Sequence, residues 1–208
     1  MKIIQKLIDS SKYNIKSPYK ITPTRIVVHN TANDASALNE ISYMSTNDKQ
    51  VSFHYAVDDK MVVQGLPETR NSWNAGGGNG KGNREGISIE ICYSKSGGEK
   101  FEKSEKNAAI FISSLLKKYN WNIENVTKHE DYGHRNCPHR TLSLGWDRFL
   151  NMIKNELDEN VNLEPIDKIV NEVIKGNWGN GSQRKENLTK AGYNYKELQD
   201  KVNKKLKN

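Results

Sequence analysis

This sequence is short of cysteine and of long apolar runs, and each shortage excludes a class of protein. It has two cysteines in 208 residues, Cys92 and Cys137. That is too few for the disulfide framework of a small secreted domain, and the two are far from the Cys-x-x-Cys spacing of a closed structural zinc site. No run approaches the ~18 apolar residues needed to cross a bilayer, so membrane insertion is not expected. The opening Met1-Lys2-Ile3-Ile4-Gln5-Lys6-Leu7 is interrupted by charge at Lys6 and again at Asp9, so the expectation is a chain made in the cytoplasm without a signal peptide. Hydrophobic residues make up 35% and charged residues 27%, which is polar for a globular chain. Apolar periodicity is nevertheless plain along it, which excludes general disorder.

Acidic residues are outnumbered. There are 32 Lys and Arg against 25 Asp and Glu, a formal charge of +7, with 22 basic against 17 acidic residues in 1–157 and 10 against 8 in 158–208. An excess of this size favours approach to an anionic polymer such as teichoic acid, and equally to nucleic acid or a membrane surface. The basic residues are scattered rather than striped, with no recognition helix or aromatic platform among them, so nucleic acid is not an expected partner.

The length suits one ordinary domain and a small one. Ile26-Val27-Val28 reads as a short buried strand, Ser36 to Tyr43 as a helix, and Val51–Val57 with Met61–Leu66 as a hairpin turned at Asp58-Asp59-Lys60. Residues 74–83 are dense in glycine but lack the Gly-Lys-Ser/Thr ending of a phosphate loop, so they read as a mobile loop bordering a groove. Ile87 to Cys92 alternates, with Ser88, Glu90 and Cys92 on one face. Amphipathic helices are expected over Glu102–Tyr119 and Leu144–Leu157. Strands interleaved with helices predict an α/β fold with one mixed central sheet flanked by helices. A polar, proline-closed stretch at 158–165 reads as a linker between a domain at 1–157 and a three-helix bundle at 166–208. In that bundle Ser182 caps the second helix, and Asn194 with Glu197 caps the third.

The chemistry concentrates in Thr127-Lys128-His129-Glu130-Asp131 and Arg135-Asn136-Cys137-Pro138-His139, with His29 a hundred residues earlier at the end of an apolar run. Two imidazoles and one thiolate make a three-ligand zinc site with a fourth position open to water, which suits hydrolysis. Read from residue types alone, these are equally unrelated surface histidines and a buried thiol.

Four ordered segments go further: Val27-Val28-His29-Asn30-Thr31-Ala32, Ser52 to Asp59, Gly86-Ile87-Ser88-Ile89-Glu90-Ile91 and Asn136-Cys137-Pro138-His139-Arg140. In that order they resemble the signature segments of phage-type zinc N-acetylmuramoyl-L-alanine amidases, which share a fold with the peptidoglycan recognition proteins. The resemblance implies one Zn²⁺ per chain held by His29, His129 and Cys137, with Glu90 as catalytic carboxylate. Arg135 stands where many relatives carry lysine, and Phe53 where some carry tyrosine. The implied reaction is hydrolysis of the amide between N-acetylmuramic acid and L-alanine of bacterial peptidoglycan. A phage or prophage endolysin acting on the wall after release is expected, with a Gram-positive host. Alternatives are a bacterial autolysin of the same chemistry and a non-catalytic peptidoglycan receptor, which commonly lacks the thiolate ligand present here as Cys137.

The other candidates carry two readings each. Glu90 is a proton carrier or a strand carboxylate paired with Arg84 or Arg25. Arg135 stabilises an oxyanion or is an ordinary surface arginine. His54 is a core histidine by default and a substrate contact otherwise, while His139 suits a substrate-facing role. The C-terminal segment, through Gly176 to Arg184 and Ala191 to Tyr195, is similar to the cell-wall-binding repeat of certain pneumococcal phage lysozymes, and its Trp178 and Arg184 are candidate wall contacts. One small copy suggests self-association through this module.

Overall fold

The computed structural model describes residues 2–133, 135–158, 166–191, 193 and 195–206. The chain divides into two compact units, 1–154 and 155–208.

The first unit is built on a six-stranded sheet of order β1-β4-β3-β5-β2-β6. Its strands are β1 (Lys2–Gln5), β2 (Arg25–Asn30), β3 (Tyr55–Val57), β4 (Met61–Gln64), β5 (Gly86–Ile91) and β6 (Val126–Lys128). Only β3 and β4 pair antiparallel; the other four pairings are parallel, which makes the sheet mixed. The hairpin turns where the sequence places it, because Asp58 Oδ1 accepts from the backbone N–H groups of Lys60 and Met61, both at 2.8 Å. The strands β1 and β6 escape the sequence reading, since three or four residues at or beside a sheet edge give too little alternation to notice.

Helices cover both faces, as a sheet with buried apolar residues on each side requires. The first helices are α1 (Tyr13–Lys16), α2 (Ala37–Thr46) and α3 (Lys81–Glu85). The Ser36 side chain accepts from Asn39 N and caps α2. That helix sets Ala37, Ile41 and Met44 against Ala56, Val63 and Cys92. The opposite face meets α4 (Gly98–Tyr119), where Tyr55 stacks edge-on to Phe111 at 4.7 Å. A short helix, α5 (His139–Leu144), precedes α6 (Trp146–Asp158), which is the helix expected over Leu144–Leu157. They break at Gly145, whose φ of 106° only glycine adopts readily.

The second unit is a bundle of α7 (Ile166–Ile174), α8 (Gly181–Lys190) and α9 (Tyr195–Leu206). Its core is Ile169, Val170, Val173, Leu188, Leu198 and Val202. Ser182 does not cap α8: the helix begins one residue earlier, and Asn180 occupies the cap position without a side-chain hydrogen bond. The linker residues 159–165, with Asn194 and the Glu197 side chain, lie outside the described residues.

A buried cation organises the segment before β3. The Lys16 side chain is fully buried, and its ammonium donates to Asn47 Oδ1 at 2.9 Å and to the carbonyls of Lys49 and Val51 at 2.5 and 3.2 Å. All three donors are satisfied, and the 47–51 loop is tied to α1. Removing the ammonium strands these acceptors, so Lys16→Met should cost almost as much stability as Lys16→Ala, on the order of 3 kcal/mol. Urea unfolding of the two variants checks this; a mild Lys16→Met would mean that the stem, not the acceptors, carries the contribution.

Candidate active site

The strands β5, β2 and β6 lie side by side and parallel, so their C-terminal ends share one edge of the sheet, where open α/β sheets bind ligands. His29 of β2 pairs in register with Glu90 of β5, which sets both side chains on the α2 face. Where β6 ends, His129 opens a 3₁₀ turn, His129–Tyr132. The chain then doubles back, with Glu130 N–H donating to Cys137 O at 2.9 Å. This brings the Cys137 thiol to 3.8 Å from His29 Nδ1.

The ligating atoms of His29, His129 and Cys137 all lie within 4.8 Å of one another. Asn30 fixes the Cys137 end, because its Oδ1 accepts from the N–H groups of Arg140 and Thr141 at 2.9 and 3.1 Å and anchors the start of α5. On the other side Gly76 N–H donates to His129 Nε2 at 3.3 Å. The glycine-dense segment is tied down rather than free. Asn83, itself buried, accepts from Asn74 N and Ala75 N and donates to the carbonyls of Gly76 and Gly78. Two of its glycines are needed: a Cβ at Gly76 (φ +77°) would sit 2.3 Å from Tyr132 O, and one at Gly82 would strike the Tyr132 ring.

The electrostatics favour a cation. Burial holds the His29 pKa well below the ordinary histidine value, with His129 adding to the effect, and burial lowers His129 too, so both rings are neutral and able to donate a lone pair. Burial, with the nearby Glu90, pushes the Cys137 thiol up to about 12. His29 Nε2 is buried with no hydrogen-bond partner. Four-coordinate zinc sets such ligand atoms roughly 3.3–3.6 Å apart. Residue types and neutral rings fit a divalent metal. A metal held there would take Cys137 as its thiolate, with loss of the thiol proton.

Glu90 is paired with neither Arg25 nor Arg84. Arg25 pairs with Glu85 at 2.7 Å, and Arg84 lies 3.7 Å over the Tyr19 ring. Glu90 Oε1 accepts instead from Asn74 Nδ2 at 3.2 Å, and Oε2 is buried without a partner. Burial raises the Glu90 pKa to about 8; the Asn74 bond opposes the rise and the charge of Glu40 adds to it. Asn74 escapes the sequence reading, where it is one more polar residue in a glycine-dense loop.

His29, Glu90, His129, Arg135, Cys137 and His139 line one cleft of about 680 Å³. Arg135 is exposed on its wall, and His139 Nε2 lies 3.4 Å from Ser94 O. His54 does not reach it: the residue is fully buried, with Nε2 2.8 Å from Arg70 O and Nδ1 accepting from Ser88 N at 2.9 Å. The expectation of a substrate contact there fails, because a satisfied core histidine has nothing left to offer a ligand. In the second unit, Trp178 Nε1 donates to Glu172 at 3.0 Å beside a cavity that both residues line. The three guanidinium nitrogens of Arg184 donate to Gly179 O, Gln199 Oε1 and Asn180 Oδ1. They brace the bundle, which leaves the plane of the group rather than its donors for any outside contact.

The arrangement at the sheet edge can hold a metal with one position open and set a carboxylate beside it, which is the chemistry of a metal-assisted hydrolase. Comparison with known proteins makes the class specific. Residues 19–140 match the N-acetylmuramoyl-L-alanine amidase family and residues 167–206 match the CW_7 repeat. The chain belongs to the N-acetylmuramoyl-L-alanine amidase family. It is 50% identical over 159 residues to N-acetylmuramoyl-L-alanine amidase CwlA of Bacillus subtilis strain 168, covering 76% of this chain and 58% of the relative. It is 52% identical over 157 residues to XlyB of the same strain, covering 74% and 50%. The chain thus spans only between half and three-fifths of the length of these curated relatives. Among solved structures it is similar to PlyL, with a TM-score of 0.72 and 52% identity over 74% of this chain and 97% of that one.

The raised Glu90 pKa has a consequence for the metal-free protein. Between the ordinary carboxylate value of 4.5 and about 8, the unfolded chain carries an ionised Glu90 while the folded chain keeps its proton. Native protein then binds more protons than unfolded protein, so stability falls as pH rises through that window. Glu90→Gln should flatten part of the decline. Urea midpoints at pH 5 and pH 8.5, in the presence of a chelator, measure it; identical slopes in both proteins would mean that Glu90 titrates normally.

Proposed function

We propose that this chain is a zinc-dependent N-acetylmuramoyl-L-alanine amidase that hydrolyses the amide between the lactyl group of N-acetylmuramic acid and the first L-alanine of the peptide stem. The observation that carries the reading is the trio of His29, His129 and Cys137 beside a carboxylate with one unpartnered oxygen. Bound there, one zinc ion per chain supplies Lewis acidity. The neutral imidazoles of His29 and His129 and the thiolate of Cys137 are its ligands.

Asn74 holds Glu90 by Oε1, which leaves Oε2 free to take a proton from the attacking water. A carboxylate raised towards neutrality by burial suits that step, and the same group then delivers the proton to the departing alanine amine. Arg135, on the cleft wall, donates to the carbonyl oxygen as negative charge develops on it. His139 faces the substrate from the same wall. Beside a bound cation Glu90 would ionise more readily than burial alone allows, and so serve as a base at neutral pH.

Residues 1–157 form the catalytic part in this reading, 158–165 the linker, and 166–208 a wall-binding module that presents Trp178 and Arg184 to muropeptide. The match of 167–206 to the CW_7 repeat supports that assignment. Copies associate through the module, which strengthens the grip of so small a repeat on the wall. The protein acts as an endolysin on bacterial wall after release from the cytoplasm.

Digestion of purified peptidoglycan should release free alanine amino groups without new reducing sugars, and chelation should abolish it until Zn²⁺ is restored. Glu90→Gln should keep zinc yet lose roughly 10²–10⁴-fold in turnover. Cys137→Ser should bind zinc poorly, because a hydroxyl is a poor substitute for a thiolate on this ion. New reducing sugars, or full lysis by a zinc-free sample, would overturn the reading.

Residues 1–157 alone should cleave soluble muropeptides about as well as the whole chain and intact walls more slowly, since tethering can raise avidity by ~10²-fold. Wall pelleting and sedimentation of 158–208 and of the full chain test the module. A fragment that stays in the supernatant, with wall lysis unaffected by its deletion, would refute the binding role.

A further inference from the structure

The cleft continues beyond the residues of the chemistry. One groove of about 630 Å³ shares Asn30, Val51 and Glu90 with it and runs along α2 past Glu40 and Tyr43. Another, of about 550 Å³, shares Trp73 and Gly76 and is lined by uncharged groups that include Tyr19, Gln50 and Asn79. The two differ in charge, and the two halves of a muropeptide differ in the same way. A sugar offers hydroxyls, an acetamido group and an apolar ring face, which suit aromatic rings and carboxamides. A stem peptide carries, at its third residue, two beyond L-alanine, a side-chain amine that is a cation at neutral pH.

Glu40 gives the first groove its character. It sits on α2, half-buried, and one oxygen accepts from Asn33 Nδ2 at 2.6 Å. Among the described residues it forms no ion pair. Burial raises its pKa despite the Asn33 bond, and its charge reaches Glu90 further along the same groove. Glu90 adds a buried, unpartnered Oε2 to that lining. The groove's cation, Lys49, is exposed at the rim, where its ammonium donates to the Tyr43 hydroxyl at 3.0 Å. A partly desolvated carboxylate without a cationic partner, beside a second one, is a receptor for an ammonium group.

We propose that Glu40 is a specificity-determining residue that pairs with a primary ammonium on the peptide half of the substrate, so that the chain selects stems with a free side-chain amine. The proposal rests on the amidase reading and adds a direction to it: peptide along α2, sugar towards Trp73.

The test uses the full chain and two soluble muropeptides, N-acetylmuramoyl tripeptides with the third residue's side-chain amine free or acetylated. Wild-type kcat/KM should favour the free amine by about tenfold. Glu40→Gln should bring the ratio close to one, chiefly through KM on the free amine. Glu40→Lys should favour a succinylated amine, whose carboxylate meets the new ammonium, and this gain holds even if the Gln variant is less stable. A ratio that survives in Glu40→Gln, or equal cleavage of both substrates by the wild type, overturns the assignment of Glu40 alone. Cleavage of neither substrate by the wild type counts against the amidase reading itself.

Discussion

The parallel register of β5, β2 and β6 is the constraint on which the site depends. Parallel strands end together, and the pairing of His29 with Glu90 fixes which side chains meet. A slip of one residue would turn His29 to the opposite face and break the trio. The buried isoleucines and valines of β2 and β5, both strands inside the sheet, hold that register. The chemistry therefore rests on hydrophobic packing that never touches a substrate.

What the sheet cannot fix, buried amides and one buried ammonium do. Asn30 anchors α5 behind Cys137, Asn83 draws in the glycine-dense segment beside His129, and Lys16 ties down the 47–51 loop. Each side chain satisfies several backbone groups in segments without regular structure, where unpaired carbonyls or N–H groups would be costly. Loops fastened in this way keep a cleft open while holding its walls still.

Much of this was legible in the sequence, and the limits have physical causes. The central strands and long helices show because burial imposes a period on β2, β5, α2 and α4. The trio could be named from residue types and family resemblance, and folding does bring His29, His129, Cys137 and Glu90 together. The short strands β1 and β6 carry too few residues to show a period. His54 proves to be the core histidine of its default reading, and the alternative stayed open because its sequence neighbours do not reveal that Arg70 and Ser88 occupy both ring nitrogens. The partners of Arg184 are hidden in the same way, since nothing near it in sequence shows that its donors reach Gly179, Asn180 and Gln199. Hydrogen-bond saturation is a property of the fold, and a local stretch of sequence does not contain it.

The state of the two thiols has a consequence of its own. Burial holds Cys137 near pKa 12 and Cys92 well above the usual thiol value, so neither is a thiolate at neutral pH in the metal-free chain. Alkylation, peroxide oxidation and disulfide exchange all begin from the thiolate. The metal-free polypeptide is thus chemically quiet, and can pass between reducing and oxidising surroundings without being capped or cross-linked through the one sulfur that its cleft exposes.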